Sequence, residues 1–154
     1  MPLAKLERTL NAPLSYCWQW LADFAALEGL HPRGNLTEFS CEGSYPGARR
    51  FARFKPELGV TEQIVERLDV VNEPNVIAYS IVENDPLPMS DYVAVVTFTA
   101  AGTDRTTIVW EGHYTEGELP AVEMDQMLCD FYGLFLDGIE KAHAMGRQPG
   151  ESPY

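Results

Sequence analysis

A chain of 154 residues with 45% hydrophobic content is long enough to bury one core without help from a disulfide or a metal. Its 11 Lys and Arg stand against 23 Asp and Glu, and the resulting charge of −12 repels phosphate backbones and anionic lipid headgroups, which argues against nucleic-acid binding and membrane attachment. No apolar run is long enough to span a bilayer, the first residues carry no secretory signal, and Cys17, Cys41 and Cys129 lack framework spacing, so a soluble cytoplasmic protein with free thiols is expected.

Leu3 to Asn11 alternates as a first strand, with Leu6, Arg8 and Leu10 facing opposite to Leu3, Lys5 and Glu7. Pro13 suits the first position of a helix, and Trp18, Leu21 and Ala22, like Trp20, Phe24 and Leu27, recur at helical spacing. Gly29 and the run His31-Pro32-Arg33-Gly34-Asn35 end this region, which reads as two short helices with a break. Strands are then expected over Leu36 to Glu42, Ala48 to Phe54, Thr61 to Val71, Val76 to Val82, Tyr92 to Thr99 and Arg105 to Tyr114. The breaks between them hold turn-forming runs such as Ser44-Tyr45-Pro46-Gly47, Asn72-Glu73-Pro74-Asn75, Asn84-Asp85-Pro86 and Ala101-Gly102-Thr103-Asp104. Connections this short predict antiparallel neighbours.

Pro120 restarts helix over Ala121 to Met145, where Met124, Met127, Leu128, Phe131, Leu134, Phe135 and Ile139 form one broad apolar stripe. From Gly146 the chain is rich in Gly and Pro, so a flexible tail over 146–154 is expected after a single domain over 1–145. Several long strands closed by one long helix make an α+β fold with room between its layers for a small apolar molecule.

The order of one strand, two short helices, six strands and a long C-terminal helix resembles the helix-grip fold. The residues Pro46-Gly47-Ala48-Arg49-Arg50, Glu66-Arg67-Leu68 followed by Asn72, Tyr79, Pro86-Leu87-Pro88 with Asp91-Tyr92, and Val109-Trp110-Glu111-Gly112 resemble the START-like (SRPBCC) superfamily. The likeness is to its polyketide cyclase/dehydrase and lipid-transport-like branch, with plant abscisic-acid receptors and the birch-pollen allergen group more distant. These motifs span nearly the whole chain in the right order. They specify the superfamily and no single activity, since the fold hosts carriers, receptors, cyclases and co-chaperones.

The resemblance implies a seven-stranded antiparallel sheet wrapped around the C-terminal helix, with a cavity between them. It implies that Glu66 and Tyr92 look into that cavity, that Tyr79 forms an aromatic wall and that Glu111 points inward. His31 falls near a helix-end position that carries a ligand-pairing lysine in the receptors. The receptors' gate loop is not matched: Lys55-Pro56-Glu57-Leu58-Gly59 takes its place, which speaks against a hormone switch. Periodicity disagrees over Glu111, because Ile108, Trp110 and Tyr114 share one face and hydrophobicity alone turns Trp110 in and Glu111 out.

Glu66 and Glu111 facing one dry cavity would be raised in pKa and could exchange protons with a substrate; solvated strand glutamates are the plainer reading. His31 could serve as acid, base or ligand-orienting donor, or be a surface histidine at a helix end. The hydroxyls of Tyr79 and Tyr92 either orient a ligand or bond to backbone. Met127, Phe131 and Phe135 pack against the sheet in any case and line the cavity if one exists. Of Arg49 and Arg50 only one can face inward, toward Glu66 or a ligand carboxylate, although two surface arginines are the plainer reading. There is no His-Glu-x-x-His, Cys-x-x-Cys or Gly-rich phosphate cradle, so neither metal nor cofactor is expected.

The leading expectation is a protein that binds a small hydrophobic or amphipathic molecule, lipid-like or aromatic, through His31, Glu66, Tyr79, Tyr92, Glu111, Met127, Phe131 and Phe135. The alternative is an enzyme of the polyketide cyclase or aromatase type. A third reading is an interaction module with an incidental cavity. An exposed strand edge leaves a homodimer open.

Overall fold

The structure, a computed structural model, describes residues 2–60, 62–83 and 87–154. Strand β1 (Leu3–Leu10) leads into helix α1 (Leu14–Ala22) and a 3-10 segment (Ala26–Leu30). Then come β2 (Leu36–Cys41), β3 (Arg49–Phe54), a 3-10 turn (Pro56–Leu58), β4 (Ile64–Asn72), β5 (Val76–Val82), β6 (Met89–Ala100), β7 (Thr106–Glu116) and helix α2 (Ala121–Ala144). The seven strands form one antiparallel sheet in the order β1-β7-β6-β5-β4-β3-β2. It is a meander from β2 to β7 to which β1 adds at the far edge, and α2 packs across the β1 and β7 side. This is the α+β helix-grip arrangement expected from the sequence.

The second expected helix is instead a 3-10 segment. Its hydrogen bonds run three residues back, from Glu28 N to Ala25 O and from His31 N to Glu28 O, and five residues are too few to nucleate an α-helix. The expected Asn84-Asp85-Pro86 break, Thr61 at the start of one expected strand, and Pro86 of the Pro86-Leu87-Pro88 motif lie outside the described residues.

Three register shifts interrupt the simple alternation among the described residues; one lies in β2 between Leu36 and Glu38, and the other two bear on the core. In β4 the register slips between Leu68 and Val70, so Leu68 and Val71 both turn toward the core around Asp69. In β6 it slips between Ser90 and Val93, with Asp91 in the left-handed region at φ 55°. That extra residue brings both Met89 and Tyr92 inside, and it explains why the strand begins at Met89 and not at Tyr92.

Residues 146–154, expected as a flexible tail, fold back onto the 3-10 segment. Tyr16 donates its hydroxyl to Arg147 O at 2.9 Å, and Arg33 Nη2 donates to Tyr154 O at 2.9 Å. Pro153 is buried, and Lys141 Nζ lies 5.0 Å above the Tyr154 ring. Gly29 permits the approach, since a Cβ there would sit 2.8 Å from Gly150 O. Composition alone carries no trace of these contacts.

Candidate functional site

Among the strands α2 packs most closely on β1, with a lighter contact to β7, and it stands off from β3, β4 and β5. The space over them is a cavity of about 330 Å³. Alternation along each strand decides what it sees: Arg50, Ala52 and Phe54 from β3, Ile64 and Glu66 from β4, Tyr79 and Ile81 from β5. The β6 bulge adds Met89 and Tyr92, and α2 contributes Met127, Leu128, Phe131, Tyr132 and Phe135. Leu27 and His31 close one end. Phe135 is buried, Met127 and Phe131 are half-buried, and the exposed Leu58 marks the rim where the cavity meets solvent.

Among the described residues the most deeply buried charge is Arg50, at 3% exposure. β3 and β4 pair so that Arg50 stands directly opposite Glu66 on the same face. Arg50 Nε and Nη2 each lie 2.9 Å from Glu66 Oε1, and Nη1 donates to Phe24 O at 3.0 Å. The guanidinium also sits 3.7 Å above the Phe24 ring. A charge this deep is tolerable only when paired and hydrogen-bonded, and Arg50 is both. The two-surface-arginine reading fails because Arg49 points outward to Glu42 and Glu83, and strand geometry then turns Arg50 inward.

Tyrosine hydroxyls form a second polar group. Trp110 Nε1 donates to Tyr79 Oη at 3.2 Å, and the hydroxyls of Tyr92 and Tyr132 hydrogen-bond to each other. Trp110 stacks on Tyr132 with ring centroids 4.7 Å apart and planes 9° from parallel. Burial pushes the hydroxyls of Tyr79, Tyr92 and Tyr132 well above the ordinary phenol range, so all three stay neutral. Gly112 makes the cluster fit: a Cβ there would collide with the Tyr132 hydroxyl and come within 2.9 Å of the Tyr92 ring.

His31 is not a surface residue. It is 8% exposed, with the Phe54 ring at 5.5 Å and the Phe135 ring at 5.0 Å, both edge-on. Desolvation, and then the charge of Arg50, lower its pKa to about 4, so the imidazole is neutral at physiological pH. Its ring makes no side-chain hydrogen bond among the described residues, yet its nitrogens are not sealed from the cavity: the buried side-chain atom left without a partner is Trp20 Nε1.

Glu111 corrects the expectation drawn from resemblance. It lies on the outer face of β7, 3.3 Å from His113 Nε2 and 4.0 Å from Lys5 Nζ, while Trp110 is 1% exposed on the inner face. A pleated strand cannot turn both neighbours inward, and the larger apolar surface wins the core. The pair of carboxylates in one cavity therefore does not form. Tyr132 is one of several lining residues absent from the expected site, beside Arg50, Ala52, Phe54, Ile64 and Met89. Tyr132 shares a helical line with Leu128, Phe135 and Ile139, so its spacing held the signal.

Residues 1–143 match the family of polyketide cyclase/dehydrase and lipid-transport proteins. No curated protein matches the sequence. Among solved structures, the protein XoxI from Bacillus cereus superposes with a TM-score of 0.74 at 21% identity, covering 92% of this chain and 95% of that one. Norcoclaurine synthase from Thalictrum flavum, in complex with dopamine and hydroxybenzaldehyde, superposes at 0.75 with 16% identity, over 95% of this chain and 88% of the synthase. A protein from Thermobifida fusca superposes at 0.67 with 25% identity over 84% of both chains. Distant likenesses of this kind establish the fold. Together with a family match that runs from the first strand almost to the end of α2, they show that this chain belongs to the SRPBCC-type polyketide cyclase/dehydrase and lipid-transport family.

Proposed function

We propose that the protein binds a small hydrophobic or amphipathic molecule, ring-shaped in preference to long-chain, between the sheet and α2. The observation that carries this reading is the cavity of about 330 Å³, apolar and aromatic apart from Arg50, Glu66, His31 and a few tyrosine hydroxyls. Small-molecule sites run from about 300 to 1,000 Å³, so this one lies at the compact end and suits one or two rings. In this reading Tyr79, Tyr92, Phe131 and Phe135 are walls, Met127 adapts at the mouth, and Glu66 and His31 are polar anchors.

The same groups are poorly matched to proton transfer. A catalytic acid or base works best with a pKa near the working pH. His31, lowered to about 4, is too weak a base, and the buried tyrosines are too weak as acids. Glu66 is engaged with Arg50. This tuning favours holding a molecule over cyclase-type turnover.

The test is a titration of the full chain with N-phenyl-1-naphthylamine, a neutral dye that brightens in apolar surroundings. A saturable one-to-one rise, with a higher melting temperature at saturation, is expected. Linear, unsaturable fluorescence would overturn the reading.

A further inference from the structure

Charge inside the cavity is already balanced. Arg50 brings one positive charge and Glu66 one negative charge, 2.9 Å apart. Both contacts from Arg50, through Nε and Nη2, fall on Glu66 Oε1. Among the described residues Oε2 accepts no hydrogen bond, although Glu66 lines the cavity and its side chain keeps 16% exposure. Oε2 is not among the buried atoms left without a partner, so it is open to a donor from the cavity, and a carboxylate oxygen there is a strong acceptor.

The chemistry of the donor follows from what is already there. A ligand carboxylate offers acceptors only, and would leave an unmatched negative charge among aromatic rings. A ligand ammonium would place a second positive charge beside Arg50. A neutral O–H satisfies Oε2 without disturbing the pair. The net charge of −12 also disfavours anions on approach. The unpartnered ring of His31 lies on the same cavity wall as Phe54 and Phe135, ready for a second polar atom of the ligand.

We propose that the cavity selects uncharged hydroxyl compounds of one or two rings, whose O–H donates to Glu66 Oε2, and discriminates against carboxylates of the same shape. The inference rests on the small-molecule reading above and adds the ligand's charge and hydrogen-bonding sense. The Arg50–Glu66 pair is then a selectivity device as well as a structural one.

Calorimetric titration of the full chain with 2-naphthol, 2-naphthoate and naphthalene at neutral pH tests it. The naphthol should bind at least about tenfold more tightly than either of the others, the ratio a hydrogen bond to a charged acceptor supplies. Naphthoate binding as tightly as naphthol would overturn the charge selectivity and leave the container standing. Naphthalene doing so would overturn the role of the hydroxyl. No binding by any of the three would overturn the small-molecule reading and this inference with it. Glu66→Gln supplies a second arm: with Arg50 unmatched, naphthoate should gain and naphthol lose, reversing their order. An unchanged order in folded Glu66→Gln would overturn the assignment to Glu66. If that variant does not fold, the wild-type comparison decides.

Discussion

Replacing Glu66 with alanine should destabilise this domain far more than removing any surface carboxylate. Arg50 is 3% exposed, and after the change it would keep only Phe24 O and the faces of Phe24 and Tyr79 as partners. Stripping one member from a buried ion pair costs roughly 3–5 kcal/mol, because the other charge is left unmatched. The cavity reaches solvent near Leu58, so water can partly resolvate the guanidinium and the lower end, about 3 kcal/mol, is expected. Against a typical domain stability of about 5–15 kcal/mol the variant still folds. Urea denaturation followed by tryptophan fluorescence should show the midpoint falling by roughly 1–2 M. Glu42→Ala, which frees the exposed Arg49, serves as the control and should leave the midpoint where it is. Equal midpoints for Glu66→Ala and Glu42→Ala would refute the claim that Arg50 depends on Glu66.

Ala52, 6% exposed on the cavity wall, can be enlarged to phenylalanine; dye binding should weaken at least about tenfold while the melting temperature holds or rises, and loss of folding instead would mean the space is not free. Gly112→Ala should cost about 1–3 kcal/mol in urea denaturation by pushing Tyr132 and Tyr92 apart, and a cost under about 0.5 kcal/mol would contradict the packing described. The pH dependence follows from His31. The unfolded imidazole takes up a proton as pH falls below about 6.5, whereas the folded one resists until about 4, so this contribution is full above the window and lost on descending through it. About 3 kcal/mol should disappear between those limits, and His31→Phe should remove that slope; parallel pH profiles for the two proteins would show that His31 is not the cause.

What could be read from the sequence was whatever follows from local periodicity and short connections. The meander from β2 to β7 needed only alternating strands and turn residues, and α2 only its stripe. Bulges escaped because one extra residue in a strand is invisible until its partner's register is known, and Met89 went unassigned for that reason. His31 entered the expected site through resemblance alone, with no periodicity behind it. A histidine followed by proline at a helix end reads as surface, and only long-range packing of Phe54 and Phe135 around it makes it a wall residue. At Glu111 the resemblance misled where hydrophobic alternation was right, because family likeness fixes the strand and Trp110 fixes which face turns in. The docked tail depends on backbone contacts such as Arg33 to Tyr154 O, which leave no pattern in composition.

The most direct test of the account is native mass spectrometry of the protein purified from its own host, followed by denaturing extraction of whatever accompanies it. The account predicts one small, uncharged ring compound bearing a hydroxyl, at a stoichiometry of one per chain, lost when Ala52 is enlarged to phenylalanine. A long-chain acid or a phospholipid held in the same cavity would contradict it.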